Sequence, residues 1–240
     1  MFFEFLLIPG GAFLAALAVG AVGFGDGLIV AAVWLHVLAP VETVPLVVAV
    51  GFVIHLIPLF RLRRSLDFTK LWPFLIAGTL AVPVGNQLLQ VVDPDAFRTG
   101  VGVFLVLYAM VFLIRPNPDH VTGGGRAADA AIGAVGGVLG GLAGLSGIVP
   151  GIWANLRGWS RAQQRGVFQP FILVMHAMAL AWLAVGGMVD ARTGINFLWC
   201  LPAIAAGSGL GLWLYGRLDE RRFHRIVLGL LLVLGVTLLI

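Results

Sequence analysis

Three titratable side chains, Asp26, His55 and His176, lie inside apolar segments of this sequence. Histidine changes its charge near neutral pH, so a buried pair of histidines is suited to binding and releasing protons. A charge within an apolar segment is costly, which makes Asp26 a candidate site for a proton or a cation. Structural roles are the alternative: packing for the two histidines, and capping of a short helix for Asp26.

Two glycine-rich stretches, at residues 20–27 and 140–151, interrupt apolar segments of the chain. Five glycines and one proline fall within residues 140–151, a composition that disfavours a continuous helix. In a bilayer, irregular backbone persists only where protein or a water-filled cavity satisfies its N–H and C=O groups. We therefore predict two broken helices that line a pathway. A close, glycine-mediated contact between helices is the alternative.

An anion site is the chemistry that these breaks suit best. The backbone N–H groups at the start of a half-helix attract anions, so two breaks that meet at mid-membrane would hold an anion between them. Ser146 would add a hydroxyl donor, and Trp153 would wall the cavity. Arg165, one helical turn before Gln169, would help to neutralise the anion. The predicted anion-binding residues are Gly25, Asp26, Gly27, Gly144, Leu145, Ser146, Gly147, Trp153, Arg165 and Gln169.

The composition places these segments in a membrane. The chain is 60% hydrophobic and 11% charged, whereas a soluble domain carries about 25% charged residues. Several apolar segments reach the roughly 20 residues that span hydrocarbon. No nucleotide-binding loop and no basic patch with interleaved aromatic residues occurs, so we expect neither a nucleotide nor a nucleic acid as partner. The single cysteine, Cys200, argues against a metal cluster, and we expect no cofactor and no resident metal.

An internal repeat organises the chain. A shift of 121 positions places Gly23 on Gly144 and His55 on His176. We therefore predict one membrane domain with two transmembrane repeats, at residues 1–118 and 127–240, joined by a linker at residues 119–126.

The loop charges predict that the two repeats point in opposite directions. Arginine and lysine are abundant at residues 61–70 but sparse at the corresponding residues 188–195, and the bias is reversed between residues 93–98 and 217–225. Cytoplasmic loops are enriched in these residues, so the halves are inverted. The predicted fold is an all-α polytopic membrane protein of two inverted repeats with periplasmic termini. Each repeat would have three full transmembrane helices and a broken, re-entrant helix hairpin.

The motifs around the breaks resemble those of the sulfite exporter TauE/SafE family, over nearly the whole chain. The resemblance implies a multi-pass transporter of sulfite, sulfoacetate or other organosulfonates in a bacterial inner membrane. The first break departs from the triple glycine of many members, which leaves the substrate open. The residues that carry the resemblance are Gly20-Ala-Val-Gly23-Phe-Gly25-Asp26-Gly27, Gly141-Leu-Ala-Gly144-Leu-Ser146-Gly147, Leu156-Arg-Gly-Trp159 and Gln164-Arg165-Gly-Val-Phe-Gln169-Pro170.

The functional expectation is therefore a secondary transporter of small sulfur-containing anions, with proton-coupled alternating access. His55 and His176 would couple protons to the anion. A passive anion channel and a membrane anion sensor that transports nothing are the alternatives. No catalytic set of residues emerges, so we do not expect an enzyme. The expected partners are the anion, protons and membrane lipid; a homodimer, the direction of transport and the stoichiometry stay open.

Overall fold

Ten α-helices and no strands form the part of the chain that the structure, a computed structural model, describes. The described residues are 2–23, 25–62, 66–114, 121, 123–215, 217 and 220–240. The helices are α1 (Phe2–Val22), α2 (Asp26–Trp34), α3 (Pro40–Leu62), α4 (Phe68–Val91), α5 (Pro94–Ile114), α6 (Gly125–Ala143), α7 (Ile148–Leu156), α8 (Arg161–Val185), α9 (Ala191–Leu214) and α10 (Glu220–Thr237). The predicted all-α class is confirmed.

Five of the described helices are long and apolar enough to cross a membrane. They are α3, α4, α5, α8 and α9, and shorter apolar segments occur at residues 6–21 and 223–237. Length and composition thus identify a multi-pass membrane protein.

The order of helices recurs along the chain: one long helix, one short helix and then three helices of 18 residues or more. The helix α1 ends at Val22 and α6 at Ala143, which are 121 positions apart. The same offset separates the starts of α3 at Pro40 and α8 at Arg161. The predicted boundary between repeats falls partly outside the described residues, as do Arg63 and Arg64 of the basic loop. Within the predicted linker, α6 already begins at Gly125.

Each short helix folds back along the long helix that precedes it. The Trp34 indole N–H, at the end of α2, donates to the carbonyl oxygen of Ile8 in the first half of α1 (3.1 Å). In the other pair, the Trp153 indole N–H of α7 donates to Oδ1 of Asp129 near the start of α6 (2.7 Å). Both pairs are therefore helix hairpins, and each glycine-rich break forms the tip of its hairpin.

The second break is shorter than the sequence predicted. It covers residues 144–147, because α7 begins at Ile148 and includes Pro150 in its first turn. Proline is tolerated there because its missing N–H would have no partner within the helix. Gly144 ends α6 with φ of +72°, and its N–H donates to the Gly140 carbonyl at 2.9 Å. Glycine is the residue that adopts this left-handed conformation without strain.

Glycines also form the seams by which the two hairpins pack against long helices of the opposite half. Gly207 and Gly211 of α9 contact the backbone of α1, and a Cβ on Gly211 would lie 2.5 Å from the Leu17 carbonyl oxygen. Gly137 and Gly141 of α6 contact α4 in the same manner. Small residues four positions apart let helix backbones approach closely in a membrane. For Gly141, the helix-contact alternative is therefore the correct one.

Polar contacts gather at two ends of the bundle. One set joins the residues after α7 to the first turn of α4 and to the segment before α6: Lys70 lies over the Trp159 ring at 5.8 Å, and Arg157 donates to the Gly123 carbonyl at 2.6 Å. The other set includes the pair between Arg192 and Glu42 at 2.7 Å. The loop after α7 and the start of α3 thus belong to different sets.

Aspartates cap α4 and α9. Asp67 accepts from the Lys70 N–H at 3.2 Å, and Asp190 accepts from the Thr193 N–H at 2.7 Å. The side-chain hydrogen bond from Lys70 lowers the pKa of Asp67 below its ordinary value, and the Thr193 N–H lowers the pKa of Asp190. Both carboxylates therefore remain charged at neutral pH. A negative charge at a helix N-terminus is stabilised by the helix dipole.

Candidate functional site

The two breaks touch each other inside the bundle. A Cβ on Gly27, in the first turn of α2, would lie 2.6 Å from the carbonyl oxygen of Gly144 and 3.1 Å from Cδ2 of Leu145. Real Cβ atoms do not approach a carbonyl oxygen so closely. The absence of a side chain at Gly27 is thus what allows the hairpin tips to meet.

A small cavity lies where the tips meet, with about 20 Å³ of room for the centre of a water-sized molecule. Residues 25–28 are the N-cap and the first three positions of α2, and residues 147–148 are the N-cap and the first position of α7. The N–H groups at these positions lack partners within their helices. The beginnings of both half-helices therefore border one cavity. Its lining comprises Gly25, Asp26, Gly27, Leu28, Gly144, Leu145, Gly147, Ile148 and Ile172.

Six of the predicted site residues come together in this lining: Gly25, Asp26, Gly27, Gly144, Leu145 and Gly147. Three further lining residues were not predicted from the sequence: Leu28, Ile148 and Ile172. Helical spacing carries a signal for Ile172, which lies on α8 three positions after Gln169 and four before His176. These three positions share one face of that helix.

Asp26 does not cap α2, so the capping alternative is wrong. The N-cap is Gly25, with φ of +100°, and Asp26 is the first residue of the helix. Its Oδ1 lies 3.0 Å from Nε2 of His55 on α3, while Oδ2 has no hydrogen-bond partner. Asp26 is 5% exposed and is the single ionisable residue in the cavity lining.

The two histidines lie side by side in the core. Both are fully buried, and their ring centroids are 6.0 Å apart. Nε2 of His176 lies 3.2 Å from the Gly144 carbonyl oxygen, which can only accept, so Nε2 carries a hydrogen and donates. His176 thereby ties α8 to the second break.

Gly51 on α3 makes room for this cluster, which we call the Asp26–His55–His176 cluster. A Cβ on Gly51 would collide with the His176 ring and would lie 2.9 Å from Oδ2 of Asp26. Gly51 was not predicted as a site residue, although it lies one helical turn before His55. Within the described residues, no group of three or more His, Cys, Asp or Glu side chains is arranged to hold a metal ion.

Ser146 and Gln169 are buried polar residues whose side chains have no hydrogen-bond partner. Ser146 is 0% exposed and Gln169 is 1% exposed. The unpartnered atoms are Oγ of Ser146 and both polar atoms of the Gln169 amide. Leaving such a group unpaired costs about 1–3 kcal/mol, so each one calls for an explanation beyond packing.

Arg165 and Trp153, like Ser146 and Gln169, lie outside the cavity lining. The Arg165 guanidinium stacks over the Tyr215 ring at 4.4 Å and donates to the Ala21 carbonyl near the end of α1 (3.4 Å). Its Nε is 2.7 Å from where a Cβ on Gly23 would lie. Arg165 thus approaches the first break, whereas Trp153 binds Asp129 at the far end of its hairpin. Their roles toward an anion stay predictions.

A multi-pass helical membrane protein in which two broken helices meet at a buried cavity has the architecture of a transport protein. The family model described as sulfite exporter TauE/SafE matches residues 8–238, and the chain belongs to that family. Comparisons with curated proteins and with solved structures found no match.

Proposed function

We propose that this protein is a secondary transporter that carries a small sulfur-containing anion, sulfite or an organosulfonate such as sulfoacetate, across the bacterial inner membrane. The anion binds between the two breaks, and protons drive its movement. The observation that carries the proposal is the single cavity bordered by the beginnings of both half-helices.

The donors around the cavity suit a sulfur oxyanion. A sulfonate presents three acceptor oxygens in a compact tripod, and the N-termini of α2 and α7 provide N–H donors and two positive dipole ends. The hydroxyl of Ser146 and the amide of Gln169 hold further donors that have no partner in the protein. A cavity that admits about one water must widen to accept an anion.

Alternating access is supported by the exchange of hairpins between the halves. The hairpin helix α1 packs along α9, and its counterpart α6 packs along α4. Inverted repeats joined in this way give two arrangements of similar energy, one open to each side. Arg157 follows α7 and Glu42 lies at the start of α3, and their contacts are at different ends of the bundle. This placement favours the inverted topology, in which both termini would be periplasmic.

Proton coupling is supported by the Asp26–His55–His176 cluster, which adjoins the cavity through Asp26. Buried titratable groups inside a membrane bundle mark proton pathways. A homodimer stays a prediction.

Uptake into proteoliposomes tests this function. Labelled sulfite and a labelled short sulfonate are offered to the wild type and to Ser146→Ala and Gln169→Met. Both changes remove unpartnered polar atoms, so we expect them to preserve or raise thermal stability while uptake falls about tenfold, the value of one or two lost hydrogen bonds. Ser208→Ala, at a buried serine on α9 that belongs to neither break, is the matched control.

The alternatives give different results in the same assay. Accumulation that is independent of an imposed pH gradient and depends on the membrane potential would indicate a passive anion channel. Saturable binding without accumulation would indicate a sensor. Normal uptake by both polar variants would remove Ser146 and Gln169 from the anion site.

A further inference from the structure

The anion site contains a negative charge of its own. Asp26 is the first residue of α2 and lines the cavity together with the N–H groups that would bind the anion. The Asp26 carboxylate and the anion are both attracted to the positive N-terminal end of α2. Two like charges in a buried cavity of this size repel strongly, because little water is present to screen them. A free Asp26 carboxylate and a bound anion are therefore competitors.

The surroundings of Asp26 provide a place for the proton that would relieve this competition. The titratable groups that face it are His55 on α3 and His176 on α8, while the end of α6 contributes only the Gly144 carbonyl. In a neutral ring, Nδ1 of His176 is an acceptor, because Nε2 already donates to Gly144. Nδ1 and Oδ2 of Asp26 both lack partners, and both lie within 3 Å of the Cβ position on Gly51.

One added proton relieves the repulsion between the Asp26 carboxylate and the anion. It can reside on the Asp26–His55 pair, whose atoms already lie at hydrogen-bond distance, or on Nδ1 of His176, whose ring lies beside that of His55. In either position the carboxylate charge is balanced within the protein. The N-termini of α2 and α7 are then free to bind an external negative charge.

We infer that the Asp26–His55–His176 cluster makes anion binding depend on a proton, so that one proton and one monovalent anion cross the membrane in the same direction. The inference rests on the proposed function and adds the direction of coupling. The empty site carries the Asp26 charge, and the loaded site carries the anion charge, with Asp26 balanced by the proton. Both states have the same net charge. A complete cycle, in which the loaded site crosses and the empty site returns, therefore moves no net charge across the membrane.

Proton uptake on anion binding tests this coupling without any mutation. Methanesulfonate is the probe, because its charge is constant between pH 5.5 and 8.5, whereas sulfite itself gains a proton near neutral pH. The purified wild type is titrated in weak buffer with a pH indicator, and affinity is measured in parallel. We expect about one proton to be taken up per anion at alkaline pH, and affinity to fall about tenfold for each further pH unit. Binding with no proton uptake, or with proton release, would overturn the inference and leave the proposed substrate class intact.

Asp26→Asn assigns the effect to this residue. It removes the charge but keeps the shape, so we expect the variant to bind methanesulfonate with an affinity that changes less than about twofold over the same pH range, and without proton uptake. Asp129→Asn is the matched control, a buried aspartate that binds Trp153 far from the cavity, and it should keep the wild-type proton uptake. Full proton uptake by Asp26→Asn would overturn the role of Asp26. A wild type that binds neither methanesulfonate nor sulfite at any pH would overturn the proposed function, and this inference with it.

Discussion

Oδ1 of Asp26 lies 3.0 Å from Nε2 of His55, and this contact joins the tip of the first hairpin to the middle of α3. Both residues are buried, at 5% and 0% exposure. Separating the two groups would leave a buried carboxylate oxygen and a buried ring nitrogen without a hydrogen-bond partner, which costs about 1–3 kcal/mol for each group. We therefore expect α2 and α3 to move as one body when the cavity opens, and the second break to move relative to them.

The contact between the breaks yields the first prediction. Gly27→Ala places a methyl group against the Gly144 carbonyl and Leu145, which forces the hairpin tips apart. Overpacking of this kind costs about 1–3 kcal/mol, so we expect uptake to fall by roughly one order of magnitude in a protein that still folds. Gly209→Ala is the control, because a Cβ there meets nothing within 4 Å. Equal uptake by the two variants would show that the tips need not meet during transport.

Gly51 yields a prediction about coupling. A methyl group at this position would displace the His176 ring and crowd Oδ2 of Asp26. We expect Gly51→Ala to lose about tenfold in uptake driven by a pH gradient, while exchange of labelled for unlabelled anion at equal pH falls less. The gradient-driven uptake and the exchange at equal pH are both measured in the same vesicle preparation. An equal loss in both would assign Gly51 to packing alone.

Trp153 separates a structural role from a binding role. Trp153→Phe keeps an aromatic ring, although a smaller one, and leaves Oδ1 of the buried Asp129 without its donor. We expect a loss of about 1–3 kcal/mol of stability, seen as a lower unfolding temperature. The affinity of the folded fraction for the anion should stay within about twofold, since the residue lies outside the cavity lining. A large loss of affinity at unchanged stability would return Trp153 to the anion site.

Arg165 is tested by a pair of substitutions. Its planar guanidinium stacks on Tyr215 and donates to Ala21, a geometry that lysine does not reproduce. If Arg165 holds the end of α1 in place, Arg165→Lys and Arg165→Gln should reduce uptake to the same extent, and that is the result we expect. Substantial recovery by lysine over glutamine would instead identify a charge that acts on the anion during its passage.

The recurrent pattern of the chain could be read from its sequence. The offset that aligns His55 with His176 also separates the ends of α1 and α6. It predicted that the two histidines would be related, and they lie 6.0 Å apart. Clustered glycines located both breaks, because glycine is a poor helix former and readily adopts the positive φ found at Gly25 and Gly144.

The contacts of the site could not be read in the same way. The Asp26–His55 pair joins two helices whose relative rotation is set by packing throughout the bundle. In the sequence, Gly51 is an ordinary glycine in an apolar helix, and only the position of His176 reveals why a side chain is excluded there. Gly25, with its positive φ, takes the capping position that a sequence pattern assigns to the neighbouring aspartate.

The central claim, that the anion binds between the two breaks, is tested most directly by locating a heavy-atom-labelled substrate. Crystals of the protein soaked in bromomethanesulfonate would be measured at the bromine absorption edge. We predict one strong anomalous peak beside the cavity between Gly27 and Gly144, close to the N-termini of α2 and α7. A peak elsewhere in the bundle, in a protein that transports the same compound in vesicles, would contradict the account.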